Sequence, residues 1–110
     1  MNRNAAVAAL AALGQDTRIE VFRLLVRAGQ RGLPAGEIAA RLGTVQNTMS
    51  AHLKVLDHAG LVRAERDGRL VRYVADMTGL RDLLAFLMED CCNGSPELCQ
   101  PVLDAITCRC

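Results

Sequence analysis

Only Gly43, Thr44 and Val45 separate two stretches whose apolar residues recur at helical spacing. Ile38, Ala39 and Leu42 give the first stretch its apolar side, with Pro34 suited to its first turn and Gly43 as its stop. Met49, Leu53, Val55 and Leu56 do the same for the second, which runs to about His58 and ends at Gly60. Two short helices joined by a tight glycine turn form a helix-turn-helix.

The flanking sequence completes a larger unit. Residues 5–13 are an Ala/Leu run of good helix propensity. Asp16 or Thr17 can cap a following helix in which Ile19, Phe22, Leu25 and Val26 recur, Arg18, Arg23 and Arg27 lie elsewhere, and Gly29 and Gly32 mark the end. After the helix-turn-helix, LVRAER and LVRYVAD read as strands around Asp67-Gly68, a dipeptide that favours a hairpin turn. Leu61, Leu70, Val71 and Val74 are expected to face the core while Arg63, Arg66, Arg69 and Arg72 stay in water. A hairpin placed directly after a helix-turn-helix is the wing of a winged helix.

Residues 79–92 predict a last long helix, striped by Leu80, Leu83, Leu84, Leu87, Met88 and Cys91. That stripe exceeds what one small domain covers, so it predicts dimerisation through this helix, together with the first one. Beyond it, Asn93-Gly94 breaks the helix, Ser95-Pro96 opens a short turn and Pro101 interrupts again. The expected fold is mainly α with a small β-hairpin: a winged helix-turn-helix over residues 1–90, dimeric through its terminal helices, followed by a cysteine-rich tail over 91–110.

A chain of 110 residues is one domain, and with only three aromatic residues its core must be aliphatic. The N-terminal Ala run stops at Gly14, short of a signal peptide, and no apolar run reaches the roughly 20 residues a membrane helix needs. The chain therefore reads as cytoplasmic, with no membrane partner. Its net charge of +1 hides a division. Residues 41–73 carry six cations against three carboxylates, whereas residues 77–110 carry two against five. All five cysteines lie between positions 91 and 110, an odd number at one end that does not suit a secreted disulfide scaffold. In a reducing compartment they are expected as free thiols or metal ligands.

The segments LGQDTRIEVFRLL, LPAGEIAARLG, QNTMSAHLKVLDHAGLV and DGRLVRYVA, in this order, resemble the ArsR family of bacterial winged-helix metal-responsive repressors over roughly residues 8–90. The resemblance implies a homodimer that binds double-stranded operator DNA and catalyses nothing. The residues agree. Gln46, Asn47, Thr48 and Ser50, with His52 one turn on, are short polar groups that can reach base edges in a major groove. Lys54, Arg66, Arg69 and Arg72 are placed to meet phosphates. A polar helix face standing alone is most often just solvated, but tight turn, polar face and basic wing in succession favour DNA. Two positions depart from the family pattern: Val45 stands where relatives carry a capping Ser, leaving Thr44 as the candidate cap, and Ala51 replaces a common Arg. His58 reads as a helix-end residue, and Arg23 and Arg27 as a solvated face.

The family's C-x-C arsenic site in the helix before the recognition helix is absent, because that stretch reads LPAGEIAARL. Its His-and-carboxylate zinc site on the last helix is also unsupported, since residues 77–110 contain no His. What remains is DCCNGSPELC, which resembles C-terminal arsenite sites of other members and points to Cys91, Cys92 and Cys99 as ligands. Trivalent arsenic prefers three sulfurs in a pyramid, and its tris-thiolate is neutral, so Glu89, Asp90 and Glu97 need no counter-charge. Zinc would leave a net negative site and still want a fourth ligand. Those carboxylates also oppose the thiolate that redox chemistry needs, and no His or Lys lies near the tail in sequence to support catalysis. Antimonite shares the pyramidal preference, and no organic cofactor is implied. The rivals are methylated trivalent arsenicals on two thiols, zinc or cadmium, and a thiol-oxidation switch; from another class, a thiol metal carrier or thiol enzyme. Cys91 alone could fill the helix stripe, and Cys108 and Cys110 stay open between a fortuitous tail and an auxiliary pair.

Overall fold

The computed structural model describes residues 1–89 and 96–106. The chain runs α1 (Arg3–Leu13), α2 (Asp16–Ala28), a 3-10 turn, β1 (Leu33–Pro34), α3 (Ala35–Leu42), α4 (Gln46–His58), β2 (Val62–Asp67), β3 (Leu70–Ala75) and α5 (Met77–Leu87). A 3-10 turn (Pro96–Leu98) and α6 (Gln100–Ala105) belong to the tail. The three strands form one antiparallel sheet in the order β1-β3-β2. This is the winged helix-turn-helix that the sequence predicts, with one addition: Leu33 and Pro34 pair with Tyr73 and Arg72 before α3 begins. Pro34 therefore lies in an edge strand, where its missing N–H costs no ladder bond, and the helix starts one residue after it.

The core joins all layers of this unit. Val21 and Leu25 of α2, Ile38 of α3, Met49, Leu53 and Leu56 of α4, and Leu61 are each fully buried. Ala6, Ala9 and Ala12 form the buried side of α1, small enough to let that helix lie close on its neighbours. Several expected core residues fall elsewhere. Ile19, Val26, Val55 and Leu70 are exposed, while Val21 and Leu24 take the inward places on α2. The apolar stripe of α2 is wide enough that period alone does not choose which edge is covered.

Helix ends also differ from expectation. Gln15, not Asp16 or Thr17, caps α2 by accepting from the Arg18 N–H at 2.8 Å. Gly43 adopts the left-handed conformation at φ 64° that closes α3, so the turn to α4 needs only Thr44 and Val45. Pro101 does not interrupt the tail but lies in the first turn of α6, where a missing N–H is harmless. Helix α5 starts earlier than expected, because Asp76 caps it by accepting from the Thr78 and Gly79 N–H groups, and it ends at Leu87. Gly79 lies against the backbone of Gly60, leaving no room for a side chain, and this contact ties α5 to the turn that follows α4.

Candidate nucleic-acid interface

Helix α4 is held from behind and open in front. Met49, Leu53 and Leu56 fix its inner side in the core, which leaves Gln46, Asn47, Thr48, Ser50 and Lys54 exposed and His52 half-buried. Of the five residues expected to read bases, four are thus exposed near the N-terminal end of one anchored helix, and the fifth, His52, is half-buried. The Gln46 side-chain amide sits near Gly36 at the start of α3.

That first turn has no side-chain cap. Val45 occupies the cap position with extended backbone and no oxygen to offer. Thr44, the expected substitute, turns its hydroxyl back to donate to the Leu42 carbonyl at 3.4 Å. The leading N–H groups of α4 therefore point outward beside the exposed polar side chains, with the positive end of the helix dipole behind them, an arrangement that suits a phosphate oxygen.

The wing supplies charge. Residues 65–70 are exposed throughout, and the turn closes over Gly68-Arg69, one residue later than the Asp67-Gly68 reading. Among the described residues, Arg66 and Arg69 make no ion pair, and neither does Lys54 on α4, so these three cations of this face have no carboxylate partner there. Arg72 is a different case. Its side chain is only 32 % exposed, its terminal nitrogen lies 3.4 Å from Asp67, and its Nε is buried without a hydrogen-bond partner. It lines a cleft with Arg31, Glu37 and Arg41 on the β1 side of the sheet, apart from the free cations of the wing tip. Arg63 also stays out of the free set, paired with Glu65 at 3.3 Å and near Asp76 at 4.0 Å.

One participant was invisible to periodicity. Arg18, in the first turn of α2, donates from Nε to the Ala12 carbonyl at 2.7 Å, and its terminal nitrogen lies 3.4 Å from His52 Nδ1. Partial burial of the ring and the adjacent guanidinium both hold the His52 imidazole below its ordinary value of 6.5. His58 is exposed at the end of α4, and Arg23 is solvated apart from a weak pair with Glu20 at 3.9 Å.

Of the expected ion ligands, Cys91 and Cys92 lie outside the described residues, as do Cys108 and Cys110. Cys99 is buried and disulfide-bonded, not the free thiol expected for a reducing compartment. No group of three His, Cys, Asp or Glu residues suited to a metal occurs among the described residues, nor is any described helix long and apolar enough to cross a membrane.

Known proteins share this arrangement. A helix-turn-helix domain family model matches residues 13–65. A probable mercury resistance operon repressor from Streptomyces lividans is 34% identical over 94 residues, covering 77% of this chain and 73% of that protein. Among solved structures, an ArsR-like transcriptional regulator from Rhodococcus sp. RHA1 superposes with a TM-score of 0.73 at 26% identity, over 96% of both chains. The homodimeric winged helix-turn-helix DNA-binding domain of a possible ArsR-family regulator from Mycobacterium bovis gives 0.63 at 26% identity, over 79% of this chain and 81% of that one. Taken with the exposed polar face of α4 and the basic wing beside it, these matches establish that the chain belongs to the ArsR family of winged-helix transcriptional regulators.

Proposed function

We propose that this chain is a homodimeric repressor that holds operator DNA with α4 in the major groove and lets go when arsenite binds Cys91, Cys92 and Cys99. The observation that carries the DNA half is the uncapped start of α4, where exposed Gln46, Asn47, Thr48 and Ser50 stand beside outward backbone N–H groups on a helix fixed by its buried side. Arg66, Arg69 and Lys54 add phosphate contacts; Arg72, tied to Asp67, adds less.

Dimerisation is supported by apolar surface that one chain leaves open. Val7 and Leu10 on α1 and Leu84 and Leu87 on α5 are exposed on helices that touch each other, and the Mycobacterium bovis neighbour is a homodimer. A two-fold dimer addresses half-sites about 34 Å apart, one turn of DNA, so small changes in how these helices pack alter the fit. Closing a sulfur clip over residues 91–99 would tie the chain just beyond α5 to the tail. A coupling of about 1–3 kcal/mol between clip and dimer shape suffices for release.

Within the tail, Cys99 is disulfide-bonded. An ion can occupy the site only after that bond is reduced. A second reading follows from the Streptomyces relative, whose name specifies mercury resistance: a mercuric ion is equally thiol-seeking and is satisfied by fewer sulfurs.

The test uses a DNA duplex enriched by this protein from a random-sequence pool, followed by fluorescence anisotropy under reducing conditions. Arsenite, antimonite, mercuric ion and zinc are titrated into wild type and Cys99→Ser. Release by arsenite that disappears in the variant supports the three-thiol site. Release by mercuric ion alone, retained in the variant, moves the inducer to the second reading; release only on adding an oxidant replaces ion sensing by thiol oxidation.

A further inference from the structure

We infer that Arg18 is a positioning residue for DNA reading: it fixes His52 as a neutral imidazole with its proton on Nε2, so that the ring offers DNA a single hydrogen-bond donor. The inference rests on the reading of His52 as a DNA-facing residue and adds to it the state of the ring and the group that sets it.

The geometry runs across three helices. Arg18 is anchored by its own Nε, which donates to the Ala12 carbonyl at 2.7 Å. That carbonyl belongs to the last turn of α1, one of the acceptors a helix end leaves without an internal partner. With Nε spent there, the terminal nitrogen extends toward α4 and stops 3.4 Å from His52 Nδ1. A guanidinium has five donors and no acceptor, so the nitrogen it faces must carry the lone pair. The ring proton then resides on Nε2, the nitrogen turned away from Arg18.

The alternative states are disfavoured by the same contact. A proton on Nδ1 would set two donors against each other, and an imidazolium would add two like charges at that distance. Partial burial of the ring acts in the same direction. A neutral Nε2–H donor suits guanine O6 or N7, adenine N7 or thymine O4, each an acceptor on the major-groove edge. A cation at this position would instead bind any phosphate and add to salt-dependent, sequence-independent affinity. Because Arg18 also grips α1, the same side chain sets the register of the reading helix against the N-terminal helix.

The test combines a spectroscopic and a binding readout on the full chain. Long-range proton–nitrogen spectra of the imidazole report which ring nitrogen is protonated, with no DNA present. Binding is measured on a duplex enriched from a random-sequence pool by the wild-type protein. In wild type at neutral pH, His52 should show the pattern of a pure Nε2–H tautomer. Arg18→Met keeps the aliphatic stem but removes the donor; it should mix the tautomers and weaken binding between about two- and tenfold, the worth of one hydrogen bond. In a His52→Ala background the same substitution should cost almost nothing, since the two residues act as one unit. Circular dichroism confirms that the variants fold, and Arg18→Lys, which can satisfy the Ala12 carbonyl but not both partners, repeats the comparison if Arg18→Met does not.

Three results overturn the inference. The first is a wild-type His52 that carries its proton on Nδ1 or is an imidazolium at neutral pH, a result that needs no variant. The second is additive losses in the double variant. The third is His52→Ala binding as tightly as wild type, which removes His52 from the DNA-facing set while leaving the tautomer measurement intact, so failure of the parent reading is told apart from failure of the Arg18 contact.

Discussion

Helix α4 and the tip of the wing present opposite solutions to the same task. On α4, short neutral side chains project from a helix whose inner residues Met49, Leu53 and Leu56 are fully buried. At the wing tip, residues 65–70 are all exposed, and the groups offered are the long side chains of Arg66 and Arg69, which make no ion pair among the described residues. A hydrogen bond to a base edge fails if its donor is misplaced by a fraction of an ångström, so it needs an anchored scaffold. A phosphate contact tolerates a mobile cation, because charge attraction falls off slowly with distance. Under the proposed function, this contrast would give sequence discrimination to α4 and salt-sensitive affinity to the wing.

The largest way to break the comparison is to loosen the anchored side. Leu53→Ala removes a fully buried side chain beneath the reading residues and should cost about 2–5 kcal/mol in chemical denaturation. Binding to selected DNA should fall with it, even though Leu53 never meets the duplex. Next, Gln46→Ala should cost about 1–3 kcal/mol of discrimination between the selected duplex and single-base variants of it. Its denaturation midpoint should stay at the wild-type value, because this side chain is exposed.

The comparison can also be sharpened in the stabilising direction. Val45 is 70% exposed and holds the extended backbone of a helix cap, so Val45→Ser loses no buried surface and supplies the missing acceptor. Thermal unfolding should report a gain of about 0.5–2 kcal/mol. The smallest effect concerns His52. Its folded-state pKa lies below the ordinary 6.5, so the unfolded chain takes up a proton that the folded chain resists. The stability this gives is present above about pH 6.5 and is lost as the pH falls through the folded value. Denaturation series on either side of that range should show the loss in wild type and a smaller one in His52→Gln.

Much of the α4 face was legible because two local signals coincide there: helical period separates Met49 and Leu53 from the polar face, and Gly43 is one of the few residues able to make so tight a turn. The outer strand residues were read less well. Leu70 was expected inside, but it sits next to the hairpin turn, beyond the reach of the helices that cover Val74. Arg72, expected to meet a phosphate, is flanked in the sheet by Glu65 on one side and Pro34 of β1 on the other, and its side chain lines a cleft with Arg31, Glu37 and Arg41. That third strand is two residues long, too short to leave a periodic pattern. The Arg18–His52 contact spans 34 positions and depends on how α2 crosses α4, which no local pattern encodes.

The most direct test of this division of labour is to measure affinity for the selected duplex and for a scrambled one across a range of salt concentrations, in wild type, Asn47→Ala and Arg66→Ala/Arg69→Ala. The structure predicts that Asn47→Ala narrows the ratio between the two duplexes at an unchanged salt slope, while the double arginine variant keeps the ratio and lowers the slope by about 0.9 per lost contact. A double arginine variant that loses the ratio, or an Asn47→Ala variant that keeps it, would contradict the assignment of sequence reading to α4.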